Sequence, residues 1–183
     1  GETEQARRFA AADQQRTLSL AGDVGAGIED PVLTALLLGK ASAAQERGVR
    51  LEVHVADGAP GLPLSASETV TVVGNLIDNA IEAAVAASGA EGPLVEVEIA
   101  HDDDGAAILS VADSGPGIEA SVRERIFQRG ASTKYSDTVG GHGVGLALVS
   151  EIVHRHRGAI EVIDDGGTAF VLSFPLVSKE VRS

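Results

Sequence analysis

The feature that most constrains this chain is a pair of glycine clusters, Asp-Ser-Gly-Pro-Gly at 113–117 and Gly-Gly-His-Gly-Val-Gly at 140–145. An apolar run from Ile108 to Ala112 precedes the first cluster and predicts a buried strand that ends at Asp113. An apolar run from Leu146 to Val153 follows the second cluster and predicts a helix. A carboxylate at the end of a strand therefore precedes a long loop, and a glycine-rich helix start follows that loop.

Both sides of that loop suit a purine nucleotide. A carboxylate at a strand end, such as Asp113, can accept a hydrogen bond from the exocyclic amine of a planar base. Glycines before a helix, here Gly141, Gly143 and Gly145, let backbone N–H groups approach phosphate, and the helix dipole favours negative charge there. The segment between them, residues 119–140, has few apolar residues and is predicted to be a mobile lid.

Each glycine cluster also has a simpler interpretation. Asp-Ser-Gly-Pro-Gly is a good surface turn by itself, and a glycine cluster is often only a loop. Residues 115–120 also fit the dinucleotide pattern G-x-G-x-x-A. Pro116 and the irregular segment after it do not predict the crossover helix that a dinucleotide-binding unit needs, so we reject that pattern.

The composition excludes several classes of function. The 183 residues suit one domain with an appendage, and their formal net charge of -13 argues against nucleic acid or an anionic membrane as partner. The chain has no cysteine, which excludes disulfides and thiolate metal sites. No apolar run reaches membrane-spanning length and no signal peptide is visible. Because residue 1 is not Met, we expect a segment of a longer protein.

Two helices are predicted before the first strand. Residues 2–20 contain neither Gly nor Pro and carry a thin apolar stripe, so this helix is expected to need a partner helix. The second helix starts at Pro31, which the first turn of a helix tolerates, and runs to Glu46 with a broad apolar face. Gly48 is predicted to end it.

A long helix after the first strand carries a polar stripe beside its apolar face. Ser65 or Ser67 is its predicted N-cap. The predicted buried face consists of Val70, Val73, Ile77, Ala80, Ile81 and Ala84. Asn75, Asn79 and Glu82 share another stripe, which faces either solvent or a bound ligand. In the second case a side-chain carbonyl is available to a hard cation such as Mg²⁺.

Alternating apolar and polar residues predict the strands. Val49 to Ala56 and Val95 to Ile99 are predicted to be half-buried, and an acidic turn joins the second of them to the strand that ends at Asp113. Ala159 to Ile163 and Ala169 to Phe174 are predicted to form a last hairpin. Paired strands with helices on one face predict an α/β fold, a two-layer α/β sandwich around a mixed sheet.

The combined motifs resemble the ATP-binding domain of sensor histidine kinases. Residues 75–83 are similar to its N-box, 113–118 to its first glycine box, 126–127 to its F-box, 141–146 to its second glycine box and 166–170 to its last box. Five motifs in the family's order, within residues 49–176, are jointly specific. The resemblance implies the Bergerat ATP-binding fold, preceded by N-terminal helices.

Three further segments resemble sensor kinases of the citrate and C4-dicarboxylate type: residues 30–40, 46–49 and 127–134. The resemblance implies that residues 1–47 are the later part of the dimerisation and phosphoacceptor helices with a connecting helix. Residues 48–178 would then be the ATP-binding catalytic domain, and residues 179–183 a tail.

The resemblance also implies the setting of the domain. It would be a cytoplasmic kinase core from a membrane-anchored bacterial sensor, with no direct membrane contact of its own and no nucleic-acid partner. Its partners would be ATP or ADP, a response regulator, and a second copy bound through the N-terminal helices. None of the histidines lies in the N-terminal helices, so the phosphoacceptor histidine is expected outside residues 1–183.

The resemblance implies roles at the base and metal ends of the nucleotide. Asp113 would accept from the adenine amine, with Thr168 nearby. Asn79 would coordinate Mg²⁺, while Asn75 would support the phosphate side and act in catalysis. Phe127 would anchor the lid.

It implies roles on the lid side as well. Lys134 would act in catalysis, with Lys134 and His142 approaching the terminal phosphates. Backbone access to the nucleotide would come from both glycine boxes: Gly115, Gly117, Gly141, Gly143 and Gly145, with Leu146 beside them. Many histidine kinases carry a basic residue three positions after the Mg²⁺-binding Asn, whereas this chain has Glu82.

Other functions remain open. ATP-hydrolysing clamps of the gyrase, chaperone and mismatch-repair superfamily place a general-base Glu four residues before the Mg²⁺-binding Asn, and Asn75 stands there in this chain. An amide cannot take a proton from water as a carboxylate can, which disfavours hydrolysis. An anti-sigma-factor serine kinase fits the N-terminal helices poorly, and a non-catalytic nucleotide-binding module would not need the complete set of boxes.

Overall fold

The computed structural model of the protein describes residues 28–59, 61–86, 92–123, 125–127, 145–164 and 166–175. The helices in these ranges are α1 (Pro31–Glu46), α2 (Ala66–Val85), the short α3 (Ala120–Arg123) and α4 (Gly145–Arg155). The strands are β1 (Arg50–Val55), β2 (Leu94–His101), β3 (Ala107–Asp113), β4 (Ala159–Asp164) and β5 (Thr168–Phe174). The helix predicted over residues 2–20 lies outside the described residues.

The strands form one mixed sheet in the order β1-β2-β3-β5-β4. β1 is parallel to β2 because the chain crosses between them through α2, and every other neighbouring pair is antiparallel. β3 and β5 are adjacent in space although α3, α4 and β4 separate them in sequence. Their register pairs Asp113 with Thr168 at one end of the sheet.

One face of the sheet carries the three longer helices. α2 packs against β2 and β3, with α1 over β1 on one side and α4 over β4 on the other. The core between the layers consists of aliphatic side chains with few aromatic rings, and Leu37, Leu76, Leu109, Leu172 and Phe174 are fully buried in it. The predicted two-layer α/β sandwich with helices on one face is confirmed.

Helix α2 begins as its sequence predicts. Ser65 is the N-cap, and it forms a capping box with Glu68 in which each side chain bonds the other residue's backbone N–H. The predicted buried face is correct except at Val70, whose exposed fraction is 48%. Thr69 faces the core in the first turn and is 1% exposed, so the buried stripe is shifted by one residue at this end.

The predicted buried strand over residues 108–112 is present in β3, but only one of its two faces is fully buried. Leu109 and Val111 point toward the helices and are fully buried, while Ile108, Ser110 and Ala112 are half-buried on the opposite face. The reason is that α1, α2 and α4 all pack on the same side of the sheet. Strand β3 also includes Asp113 as its last residue.

The first part of the predicted lid contains regular structure that was not predicted. Helix α3 spans only one turn, and the chain turns again at residues 125–127. Ile126 and Phe127 are half-buried against the core. Among the described residues, no helix combines the length and the apolar character needed to cross a membrane.

Candidate functional site

Helix α2 contacts both glycine-rich segments, two turns apart. A Cβ on Gly115 would lie 2.9 Å from the backbone carbonyl carbon of Ala83, and a Cβ on Gly145 would overlap Oδ1 of Asn75. These two points on the helix are eight residues apart, or about 12 Å along its axis. The first cluster therefore lies near one end of a line along α2 and the start of α4 near the other.

Asp113 is a buried carboxylate at the first of these points. It is 9% exposed, its Oδ1 accepts a hydrogen bond of 2.8 Å from the Gly115 N–H, and the Thr168 backbone N–H also donates to the carboxyl group. Burial raises the pKa of Asp113 from 3.8 to about 6, although these two hydrogen bonds act in the opposite direction. A buried acceptor with a raised pKa is a recognised sign of a functional group.

The raised pKa predicts a pH dependence of stability. Because the folded protein holds the Asp113 proton more tightly than the unfolded chain, this group favours folding most below pH 4, and its contribution is lost as the pH rises through about 6. We expect the free energy of unfolding of Asp113→Asn, minus that of the wild type, to increase by about 1 to 2 kcal/mol between pH 5 and 7.5. Urea unfolding at both pH values measures this difference.

The subtraction removes the contributions of the other titrating groups, because both proteins share them. A difference that stays constant between pH 5 and 7.5 would contradict the raised pKa of Asp113.

Thr168, the first residue of β5, and Gly167, which precedes it, both lie against Asp113. Thr168 is 4% exposed and pairs with Asp113 across strands β3 and β5. A Cβ on Gly167 would overlap the backbone carbonyl oxygen of Asp113, so a glycine is needed for β5 to approach this closely. The carboxylate is thus held by backbone groups on both sides.

Asn75 and Asn79 lie at the other point, on one stripe of α2. Asn75 donates from Nδ2 to the Thr71 carbonyl at 2.5 Å, and its Oδ1 faces Gly145 at the start of α4. The Asn79 side chain is half-buried and has no hydrogen-bond partner within the described part of the chain. Its amide oxygen is therefore available to a ligand or a cation.

Asp78, next to Asn79, pairs with a lysine of the first helix. Lys40 Nζ lies 2.6 Å from both carboxylate oxygens of Asp78. No sequence pattern links these two residues, because they lie 38 positions apart. The one feature of the sequence that pointed to Lys40 was its place in residues 30–40. This segment resembles the citrate and C4-dicarboxylate sensor kinases.

Phe127 lies within the predicted lid segment, and Leu146 follows that segment in the sequence. The Phe127 ring packs edge-on against Phe170 of β5, with ring centroids 6.3 Å apart and planes at 83°. Leu146 is half-buried against the core at the start of α4. Their proposed roles as lid anchor and nucleotide contact remain predictions.

Besides Lys40–Asp78, an ion pair forms at the start of the predicted lid segment. Arg123 of α3 donates to Asp164 Oδ2 at 2.5 Å and to the Ile118 carbonyl at 3.3 Å. Asp164 Oδ1 lies 2.6 Å from the position that a Cβ on Gly117 would occupy, and Gly117 has a φ of +80°. The pair ties the first glycine turn to the end of β4, and no sequence pattern indicated it.

Four of the predicted site residues lie outside the described residues. They are Lys134, Gly141, His142 and Gly143. The structure does bring together Asp113, Gly115 and Thr168 at one end of α2, and Asn75 and Gly145 at the other.

A sequence profile of one protein family matches residues 64–178, well over half of the chain. It describes the histidine kinase-, DNA gyrase B- and HSP90-like ATPases. The chain belongs to this ATPase family. Residues 64–178 therefore carry its ATP-binding domain, as the five motifs predict.

Two relatives narrow the place of this ATPase domain within the family. The sensor protein CitS of Halalkalibacterium halodurans is 39% identical over 153 residues, which cover 81% of this chain and 27% of CitS. A probable C4-dicarboxylate sensor kinase of the same organism is 37% identical over 152 residues, covering 81% of this chain and 28% of that protein. The predicted resemblance to citrate and C4-dicarboxylate sensor kinases is confirmed. The chain spans about a quarter of the length of these relatives.

A solved structure agrees with the fold of this ATPase domain. The mycobacterial sensor histidine kinase MprB is 28% identical and superposes with a TM-score of 0.58, over 78% of this chain and 94% of the MprB chain. The two-layer sandwich is therefore the architecture of a histidine kinase catalytic domain.

Proposed function

We propose that this chain is the ATP-binding kinase core of a two-component sensor histidine kinase. It would transfer the γ-phosphoryl group of ATP to a histidine elsewhere in the receptor, which would pass it to an aspartate of a response regulator. The chain would be the cytoplasmic part of a membrane-anchored bacterial sensor that dimerises through its N-terminal helices. The citrate and C4-dicarboxylate sensor kinases among its relatives support this assignment.

The buried carboxylate of Asp113 is the observation on which the proposal rests most. Its hydrogen bonds to Gly115 and Thr168 fix its orientation, and it has no cationic partner among the described residues. A planar base with an exocyclic amine, such as adenine, supplies the donor that such a carboxylate requires. Gly115 and Gly167 let the backbone pack closely around Asp113, since a Cβ on either glycine would meet protein atoms.

The opposite end of the site fits a magnesium ion. Asn79 offers a half-buried amide oxygen without a hydrogen-bond partner among the described residues, and amide oxygens are suitable ligands for Mg²⁺. An ion held there would supply positive charge beside the phosphates of ATP. Asn79 would hold the ion, and the start of α4 at Gly145 would lie beside the phosphates.

Asn75 favours phosphoryl transfer to a protein acceptor over hydrolysis. An amide does not accept a proton from water at neutral pH, so Asn75 cannot serve as a general base. Its Nδ2 bonds the Thr71 carbonyl and its Oδ1 faces Gly145, so the side chain positions α4 against α2. Its contribution to catalysis would be to hold the phosphate-binding helix start, with Lys134 acting from the lid.

The histidines of the described residues are poor candidates for the acceptor. His54 and His101 lie on the sheet and His154 lies at the end of α4, and all three are exposed. His156, just after α4, is half-buried, and its Nε2 lies 3.2 Å from Glu68 Oε2. All four lie on the domain that would bind ATP. We therefore place the acceptor histidine on the dimerisation helices of the receptor.

A labelling experiment tests the proposed reaction. In a receptor that carries this chain behind its own helical hairpin, γ-labelled ATP should give a phosphoprotein whose label is acid-labile and base-stable. The isolated residues 1–183 should bind ATP and acquire no such label. Calorimetry measures binding, and the chemical stability of the label identifies phosphohistidine.

The alternatives give different results. Steady release of phosphate from ATP without a phosphoprotein would favour the hydrolysing clamps of the family. Nucleotide binding with neither reaction would favour a regulatory module. Phosphohistidine formed on residues 1–183 alone would show that the acceptor histidine lies within these residues and not on a preceding helix.

A further inference from the structure

Lys40 of α1 makes an ionic contact with α2 next to the stripe that carries Asn75 and Asn79. Its Nζ lies 2.6 Å from Oδ1 and 2.6 Å from Oδ2 of Asp78, so both carboxylate oxygens are engaged. The Lys40 side chain is 19% exposed, whereas that of Asp78 is 58% exposed. The lysine is therefore largely enclosed by the protein, whereas the carboxylate that it contacts is more exposed to solvent.

Lys40 also covers the preceding turn of α2. A Cβ on Gly74 would lie 3.9 Å from Lys40 Cε, so the aliphatic part of the lysine runs past that position. Gly74 and Asp78 are four residues apart and share a stripe of the helix that faces α1. Asn75 and Asn79 are also four residues apart and form the adjacent stripe. Lys40 thus holds the turn from which both asparagines project.

The charge of Asp78 makes this contact relevant to an anionic ligand. Asp78 directly precedes Asn79, the proposed ligand of Mg²⁺, in a chain with a formal net charge of -13. An unpaired carboxylate there would repel the phosphates of a nucleotide bound at Asn79, because like charges interact unfavourably. The ammonium group of Lys40 neutralises that carboxylate and directs it toward α1.

The lysine comes from outside the segment that defines the family. The family match begins at residue 64, whereas α1 ends at Glu46. Leu33 and Leu37 of α1 are nevertheless buried in the same core as α2. The helix is thus packed firmly enough to hold a side chain against the nucleotide site.

We propose that Lys40 is a positioning residue for the phosphate end of the nucleotide site: it neutralises Asp78 and fixes the helical turn that carries Asn75 and Asn79. This inference depends on the proposed ATP binding. It adds to that function a residue from α1 that contacts neither base nor metal, and it makes α1 part of the nucleotide-binding unit.

Two ligands separate this role from a general effect on folding. Adenosine needs only the Asp113 end of the site, whereas ATP with Mg²⁺ needs both ends. We expect Lys40→Met to weaken binding of Mg²⁺–ATP about fivefold and to leave adenosine binding unchanged, as measured by calorimetry on the whole chain. Lys40→Arg should restore Mg²⁺–ATP binding because it retains the charge.

Two further variants make the test specific. Arg50→Met removes one positive charge from an exposed ion pair with Glu52 on β1, so it controls for the change in net charge and should bind both ligands like the wild type. Asp78→Asn combined with Lys40→Met should recover Mg²⁺–ATP affinity, because the repelling carboxylate is then absent. Thermal melting of each variant verifies folding.

The other outcomes overturn the inference. Wild-type affinity in Lys40→Met, or equal losses for adenosine and Mg²⁺–ATP, would show that Lys40 has no role at the phosphate end. A selective loss that Asp78→Asn does not recover would mean that Lys40 acts independently of Asp78. Failure of the wild type to bind Mg²⁺–ATP would instead refute the proposed function.

Discussion

Asp113→Asn is expected to weaken the binding of adenosine and ATP about 100-fold while leaving the free protein at least as stable as the wild type at neutral pH. The asparagine Oδ1 can still accept the hydrogen bond from Gly115. Its Nδ2, however, would present a donor to the donor amine of adenine. Stability does not fall, because the substitution removes a charge whose burial raises the pKa of Asp113 to about 6.

The separation of affinity from stability is what makes this variant informative. Calorimetry with adenosine measures the affinity, and urea unfolding at pH 7.5 measures the stability. Asp102→Asn is the matched control, since Asp102 accepts backbone N–H bonds from Asp104 and Ala106 in the exposed turn between β2 and β3. It should bind adenosine like the wild type. Wild-type affinity in Asp113→Asn would refute the adenine site.

Most of the fold could be predicted because helix and strand periodicities are local properties of the sequence. The alternation of Val95, Val97 and Ile99 with two glutamates gives β2 its buried and exposed faces whatever its neighbours are. Ser65 and Glu68 likewise specify the start of α2 by themselves. Such features survive in any tertiary arrangement.

The predictions of burial failed where the packing of other helices or strands decides which side chains are covered. Val70 has the right spacing for the buried face of α2, but at that end of the helix Thr69 faces the core instead. Ile108 lies in an apolar run that is typical of a strand covered on both faces, yet the longer helices all pack on the other side of the sheet. The exposure of Val70 and the partial burial of Ile108 are therefore set by neighbouring elements and not by the residue type.

The site could be predicted only as far as its motifs extend. Asp113, Gly115, Asn75 and Asn79 belong to short segments that the family resemblance identifies. The ion pairs Lys40–Asp78 and Arg123–Asp164 join residues 38 and 41 positions apart, and exposed charged residues at such separations have many alternative partners. Only the folded chain shows which partners meet.

The close packing of Gly167 leads to the other large effect. We expect Gly167→Ala to lower the free energy of unfolding by about 3 kcal/mol or more and to weaken adenosine binding strongly. The added methyl group would overlap the Asp113 carbonyl oxygen and lie 3.1 Å from its carbonyl carbon. Both are backbone atoms at the end of the central strand β3, so relief requires β3 and β5 to separate at the Asp113–Thr168 pair.

The adjacent glycine provides a matched control for this substitution. Gly166 has a φ of +73° and open space around its Cβ position, so Gly166→Ala carries only the conformational strain of the left-handed region, about 1 kcal/mol. It should leave adenosine affinity unchanged. Urea unfolding and adenosine calorimetry on the two variants therefore separate strain in the turn from displacement of Asp113. Equal effects of the two substitutions would show that the approach of β5 to the Asp113 carbonyl does not determine the geometry of the adenine end.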